Sequence, residues 1–212
     1  MINKNEFMDK KYLVVKNFIS KEMSDFLFSI FLNKKSAADF LFRTKYISPF
    51  EKIFGFYNDP QMNNHKNTFV LYGDVVFDTL LYNSTKKINE LVDMELFPTY
   101  SFGRLYNKGD TLERHKDREA CEVSLTLNLG GDPWPIYIDP TGSINKKGKK
   151  VILNPGDILI YKGNELEHWR NKFTGNICAQ VFLHYTSLKF KNKLYDTRPM
   201  LGLPQYFKKD ND

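Results

Sequence analysis

Between residues 98 and 186 the chain breaks into short β-prone segments, and that rhythm limits the fold more than any other feature. The segments read "YSFGRLY", "EVSLTLNL", "WPIYID", "KKVILN", "DILIYKG", "HWRNKF" and "ICAQVFLHY". Turn signals separate them: "NKGD", "GGD", "PTGS", "NPG", "GNE" and "TGN". β-Branched and aromatic residues suit a pleated, half-buried surface, and Gly, Pro, Asn and Asp supply the reversals. Closely spaced short strands of this kind predict a sandwich or barrel, and two facing sheets in a jelly roll are the natural form. In "EVSLTLNL", Ser124, Thr126 and Asn128 share one face, while Val123, Leu125 and Leu127 share the other. A polar face of a strand usually meets water. In a barrel that holds a ligand it lines the interior instead.

The first half has a different character. "YLVVKNF" (residues 12–18) reads as a strand, and Ser20 as the N-cap of a helix carrying Met23, Phe26, Leu27, Ile30 and Phe31 at helical spacing. Residues 33–68 read as a polar loop, and "DVVFDTLLYNSTKKINELVDMEL" as one or two helices with Ile88, Leu91 and Val92 inward. The expected organisation is a mainly β protein with flanking helices. Residues 1–95 form a helical support, 96–190 a double-stranded β core and 191–212 a tail, all within one structural domain. Hydrophobic residues make up 42% of the chain, which excludes a disordered composition. The net charge of +6 is spread as lysines along the chain, with no basic-aromatic groove to argue for a nucleic-acid partner. Cys121 and Cys178 have no metal-like spacing and read as small buried fillers, which excludes a disulfide scaffold. The first residues lack the apolar core of a signal peptide, and no apolar run is long enough for a bilayer. The expectation is a soluble cytoplasmic protein with no membrane partner. Trp134 reads as a packing anchor, Trp169 as outward-facing, and Asn145–Lys150 as a solvated basic hairpin tip.

"RLYNKGDTLERHKD" (residues 104–117) carries the chemistry. On an extended chain His115 and Asp117, two apart, point the same way. An imidazole and a carboxylate need one more imidazole to complete a two-histidine, one-carboxylate facial triad, which leaves the remaining positions of an iron(II) ion open. His168 is the best third ligand. It follows "NPGDILIYKG", in which a Pro-Gly turn feeds a strand that ends at Gly163, so the next strand returns beside the first pair. His65 lies in the polar N-terminal stretch without partner spacing, and His184 in "VFLHY" reads as a structural histidine.

This arrangement, with "CEVSLTLNL" and "HWRNKFTGN" between and after its parts, resembles the Fe(II)/2-oxoglutarate dioxygenase superfamily, especially its prolyl-hydroxylase-like branch. The resemblance spans roughly residues 98–186. It implies a double-stranded β-helix (a jelly roll or cupin-like core) with Fe(II) held by His115, Asp117 and His168. It further implies 2-oxoglutarate as cosubstrate, O2 as oxidant, and hydroxylation of a protein or peptide residue such as proline, or of a free amino acid or other small metabolite. The alternative class is a non-catalytic or 2-oxoglutarate-independent cupin-like metal-binding protein. One departure stands out. The branch carries a Lys or Arg about ten residues after the distal histidine to hold the C5 carboxylate, and here that position falls on Ile177 or Cys178. A buried carboxylate needs a cation. Arg170, two residues after His168 and so on the same face, is the first substitute; Arg104 is the second and Lys162 the third. Tyr106 occupies the branch's pocket-tyrosine position, and Asn128 falls near a position that bonds the C5 carboxylate. Thr126 and Gln180 complete the expected cosubstrate pocket.

Overall fold

The computed structural model describes residues 6–59, 68–141 and 147–205. In chain order the elements are α1 (Glu6–Lys10), β1 (Tyr12–Val15), α2 (Lys21–Arg43), β2 (Phe56–Asn58), β3 (Phe69–Tyr72), α3 (Val75–Val92), β4 (Phe97–Asn107) and β5 (Leu112–His115). They continue with β6 (Val123–Gly131), β7 (Ile136–Asp139), β8 (Lys149–Val151), β9 (Ile158–Lys162), β10 (Glu167–Arg170) and β11 (Ile177–Thr186). Among the described residues the strands form two antiparallel sheets. The larger runs β1-β9-β6-β11-β4-β3-β2, the smaller β5-β10-β7-β8. This is the expected double-stranded β-helix.

The period-two alternation of the central strands decides what each face packs against. Leu125 and Leu127 on β6, Ile158 and Ile160 on β9, and Val181 and Leu183 on β11 join Leu27 and Phe31 of α2 and Phe77, Leu81 and Ile88 of α3 in one apolar cluster. Each such side chain contributes about 1.5–3 kcal/mol by leaving water. The helices approach closely because β4 carries Gly103 at the contact. A Cβ there would stand 3.1 Å from the rings of both Phe31 and Phe77. The opposite face turns Ser124, Thr126 and Asn128 inward toward the smaller sheet, and all three are buried.

The N-terminal half is more structured than its sequence suggests. Ser20 caps α2, accepting a hydrogen bond from the Met23 amide. The helix then runs to Arg43 through residues expected to be loop. Its "NKKS" stretch sits on a polar side, where Lys34 pairs with Asp74 and Lys35 with Asp39, while Ala38 continues the buried stripe. The β2–β3 pair then adds two edge strands to the larger sheet. The first 95 residues therefore supply strands β1, β2 and β3 as well as helices. His65 lies outside the described residues.

The C-terminal segment is docked as far as it is described. Arg198 is 3% exposed and pairs at 2.9 Å with Asp78, itself 1% exposed on α3. The same carboxylate accepts hydrogen bonds from the Ser101 amide and hydroxyl and from the Gly202 amide. The "KKDND" end and part of the Asn145–Lys150 tip lie outside the described residues. Trp134 packs on Tyr106 and Phe173, and Trp169 stacks on Tyr137. Both cysteines are buried free thiols. No helix among the described residues is long and apolar enough to cross a membrane.

Candidate metal centre

Strands β5 and β10 are neighbours in the smaller sheet, and their register sets His115 directly opposite His168. The two rings lie 4.2 Å apart between centroids. Each Nδ1 points at a backbone carbonyl, His115 at Glu113 (2.7 Å) and His168 at Leu166 (3.2 Å). A carbonyl only accepts, so each Nδ1 carries the proton and each Nε2 is left with a bare lone pair. Both Nε2 atoms face Asp117 Oδ1, at 3.6 Å from His115 and 3.5 Å from His168. The three donor atoms lie within 4.8 Å of one another. Two imidazole nitrogens and one carboxylate oxygen converging in this way could hold one ion, and the N,N,O set suits a first-row divalent metal.

The electrostatics support the same arrangement. Where no ion is bound, a proton between ring nitrogen and Oδ1 takes its place: burial opposes ionisation of Asp117, but hydrogen bonding from His115 and His168 outweighs it and holds the carboxyl well below the usual range. Burial also opposes protonation of His115, but Asp117 and the Glu113 carbonyl outweigh it and raise its pKa. Asp117 lies just past the end of β5, where its amide donates to the Gly163 carbonyl. Gly163 is required there. A Cβ would come within 2.5 Å of Asp117 Oδ2 and 2.6 Å of Ser124 Oγ.

A cavity of about 330 Å³ opens on the three residues. Its walls include Tyr100, Phe102 and Arg104 from β4, Phe182 and His184 from β11, and Tyr161. His184, which the sequence suggested was structural, is thus part of this wall. Its burial pushes the imidazole down to about 4, which keeps it neutral near pH 7. Tyr100, Phe182 and His184 were not anticipated as site residues. The signal was present: they share strand parity with Arg104 and Gln180.

The expected cosubstrate residues separate into two groups. Arg170 does not line the open cavity. It lies further along β10, 2% exposed, donating to the Trp134 carbonyl and, at 3.3 Å, to Gln180 Oε1. No carboxylate pairs with it among the described residues, and its Nε is buried without a partner. Burial pushes its guanidinium below the ordinary arginine value, which the neighbouring Cys178, Tyr106 and Tyr161 only partly offset. Thr126 Oγ1 is likewise buried without a partner. Tyr106 is fully buried beside this group, edge-on to Trp134. The other candidate cations are already neutralised. Arg104 pairs with Asp59 and donates to the Tyr106 hydroxyl. Lys162 faces the other side of β9, 3.5 Å from Glu122. Asn128 is occupied as well, donating to the Leu153 carbonyl and accepting from the Gly130 amide and Gln180 Nε2.

Known structures share this architecture. A Pseudomonas putida prolyl-4-hydroxylase matches with a TM-score of 0.56 at 14% identity, over 87% of this chain and 96% of that one. HygX from Streptomyces hygroscopicus, with nickel and 2-oxoglutarate bound, gives 0.60 at 13% identity, over 97% and 94%. The fold is that of the iron(II)/2-oxoglutarate oxygenases. A Trichoplax adhaerens prolyl hydroxylase in complex with a hypoxia inducible factor peptide matches this oxygenase fold at 0.59 and 14% identity, over 89% of each chain. No family model and no curated protein sequence matches the chain.

Proposed function

We propose that the protein is an iron(II)- and 2-oxoglutarate-dependent dioxygenase that hydroxylates a peptidyl residue, such as proline, or a free amino acid or other small metabolite. The observation that carries this reading is the convergence of two bare Nε2 atoms on Asp117 Oδ1 at 3.6 and 3.5 Å. His115, Asp117 and His168 would hold the iron. The bound metal, with 2-oxoglutarate and O2, supplies oxidative decarboxylation to succinate and CO2 together with transfer of one oxygen atom to a substrate C–H bond.

The rest is the work of the chain. Arg170 is a buried cation without an anion, and a buried unpaired charge is unfavourable by several kcal/mol. The C5 carboxylate of 2-oxoglutarate is the complement it lacks, and Thr126 has a hydroxyl free to join it. Cys178, small where the branch carries a long base, leaves space for a guanidinium reaching over from β10. Gln180 holds that guanidinium on one side, and Tyr106 and Trp134 wall it from water. Tyr100, Phe102 and Phe182 form an aromatic wall beside the metal residues, against which a substrate would lie.

An anaerobic titration with Fe(II) and then 2-oxoglutarate tests the reading. The expected result is the weak visible charge-transfer band of the chelate, absent in His115→Ala. Iron uptake without the band would favour a 2-oxoglutarate-independent metalloprotein instead.

A further inference from the structure

Asp117 has two oxygens, and the structure treats them differently. Oδ1 faces the two bare imidazole nitrogens. Oδ2 accepts a hydrogen bond from Ser124 Oγ at 2.7 Å. Ser124 is fully buried on β6, and its oxygen also lies 3.0 Å from His184 Nδ1 on β11. The two strands are paired at this point, with Ser124 opposite His184.

The protons can be counted. A hydroxyl has one hydrogen to donate. The carboxylate at 2.7 Å is a charged acceptor and outcompetes the Cys121 carbonyl at 3.3 Å for it. The Ser124 oxygen must then accept from His184, so His184 Nδ1 carries its proton. The direction of the chain is fixed: His184 donates to Ser124, which donates to Asp117. Asp117, Cys121 and His184 also lie close enough to suggest a second metal group. That reading is the weaker one, because His184 Nδ1 is engaged with Ser124 and the Cys121 sulfur with the Tyr100 hydroxyl at 3.1 Å.

We propose that Ser124 and His184 are positioning residues that hold Asp117 Oδ2 away from the metal, so that Asp117 binds through one oxygen only. The assignment rests on the metal reading of His115, Asp117 and His168. A carboxylate free to rotate would present both oxygens and take a second coordination position, one that 2-oxoglutarate or O2 needs. Gly163 lies on the other side of Oδ2, where any side chain would come within 2.5 Å of that oxygen and displace it.

Cobalt(II) binding by the metal-free protein, followed by visible absorption, tests this without turnover. The wild type should bind Co(II), and His115→Ala should not. Ser124→Ala should bind about 10–100-fold more weakly, with a changed d–d spectrum. His184→Leu should shift the spectrum in the same direction. His184→Asn, whose carboxamide N–H takes the place of Nδ1, should restore the wild-type spectrum. Wild-type affinity and spectrum in folded Ser124→Ala or His184→Leu would overturn the relay, as would His184→Asn behaving like His184→Leu. If Ser124→Ala fails to fold, the two His184 variants decide. A wild type that takes up no Co(II) overturns the metal centre itself, and the relay with it.

Discussion

Leu125 and Thr126 are adjacent on β6, both fully buried, and they face opposite sides of one sheet. Leu125 sits among the hydrocarbon side chains of α2, α3 and the flanking strands. Thr126 faces the interior, where its hydroxyl has no partner. The contrast extends across the sheet. Of the four buried side-chain polar atoms without a partner among the described residues, three (Arg104 Nε, Thr126 Oγ1 and Arg170 Nε) lie on the inner side of the sandwich. Each such atom costs about 1–3 kcal/mol. The outer face is packed by one large apolar cluster, and the inner face sets a polar cost beside its own apolar clusters that a bound ligand can offset.

That division predicts opposite behaviour for substitutions on the two faces. The largest effect belongs to Asp117→Ala, which should abolish iron-dependent succinate formation while the thermal midpoint stays within a few degrees. Retained activity would remove Asp117 from the metal site. Leu125→Ala should do the reverse, costing about 2–5 kcal/mol in urea unfolding while metal affinity of the folded protein is unchanged. A parallel loss of metal affinity would break the division. Arg170→Met should weaken 2-oxoglutarate binding by about 10–100-fold, the loss of one charge-assisted contact, with the stability of the ligand-free protein equal or higher. Unchanged affinity would remove Arg170 as the anchor.

Two smaller effects sharpen the picture. Protons compete with the metal for the imidazole nitrogens. Because the pKa of His115 is raised without metal, Co(II) affinity should hold at high pH and begin to fall above the ordinary histidine value of about 6.5. A decline confined to well below it would show that His115 is not the group responding. Thr126→Val is the gentlest case. Removing an unpartnered hydroxyl should leave thermal stability unchanged or raise it by up to about 1 kcal/mol, whereas a loss would mean that the hydroxyl is bonded in solution.

The β core was legible because period-two alternation and Gly/Pro turns are local signals. The pairing of His115 with Asp117 was legible for the same reason, and the position of His168 followed from one turn and one strand. Most of the failures have a common cause. α2 was cut short at "NKKS" because a polar run looks like a loop until Asp74 is known to lie beside Lys34. β2 and β3 were missed because runs of three and four residues are too short to show a period. Asn128 looked like a ligand residue, yet its amide is committed to Leu153, Gly130 and Gln180, which only register reveals. Arg104 was a fair candidate until Asp59 came beside it.

The Asp78–Arg198 pair has a consequence for synthesis. The two residues are 120 positions apart, so at ordinary translation speeds the ribosome makes Asp78 on the order of ten seconds before its partner. Until Arg198 emerges, seating Asp78 against the sheet leaves a buried carboxylate with its Ser101 hydrogen bonds but no counter-charge, at a cost of up to about 3–5 kcal/mol. Early docking of α3 is thereby disfavoured until the strands on which it packs have all been made.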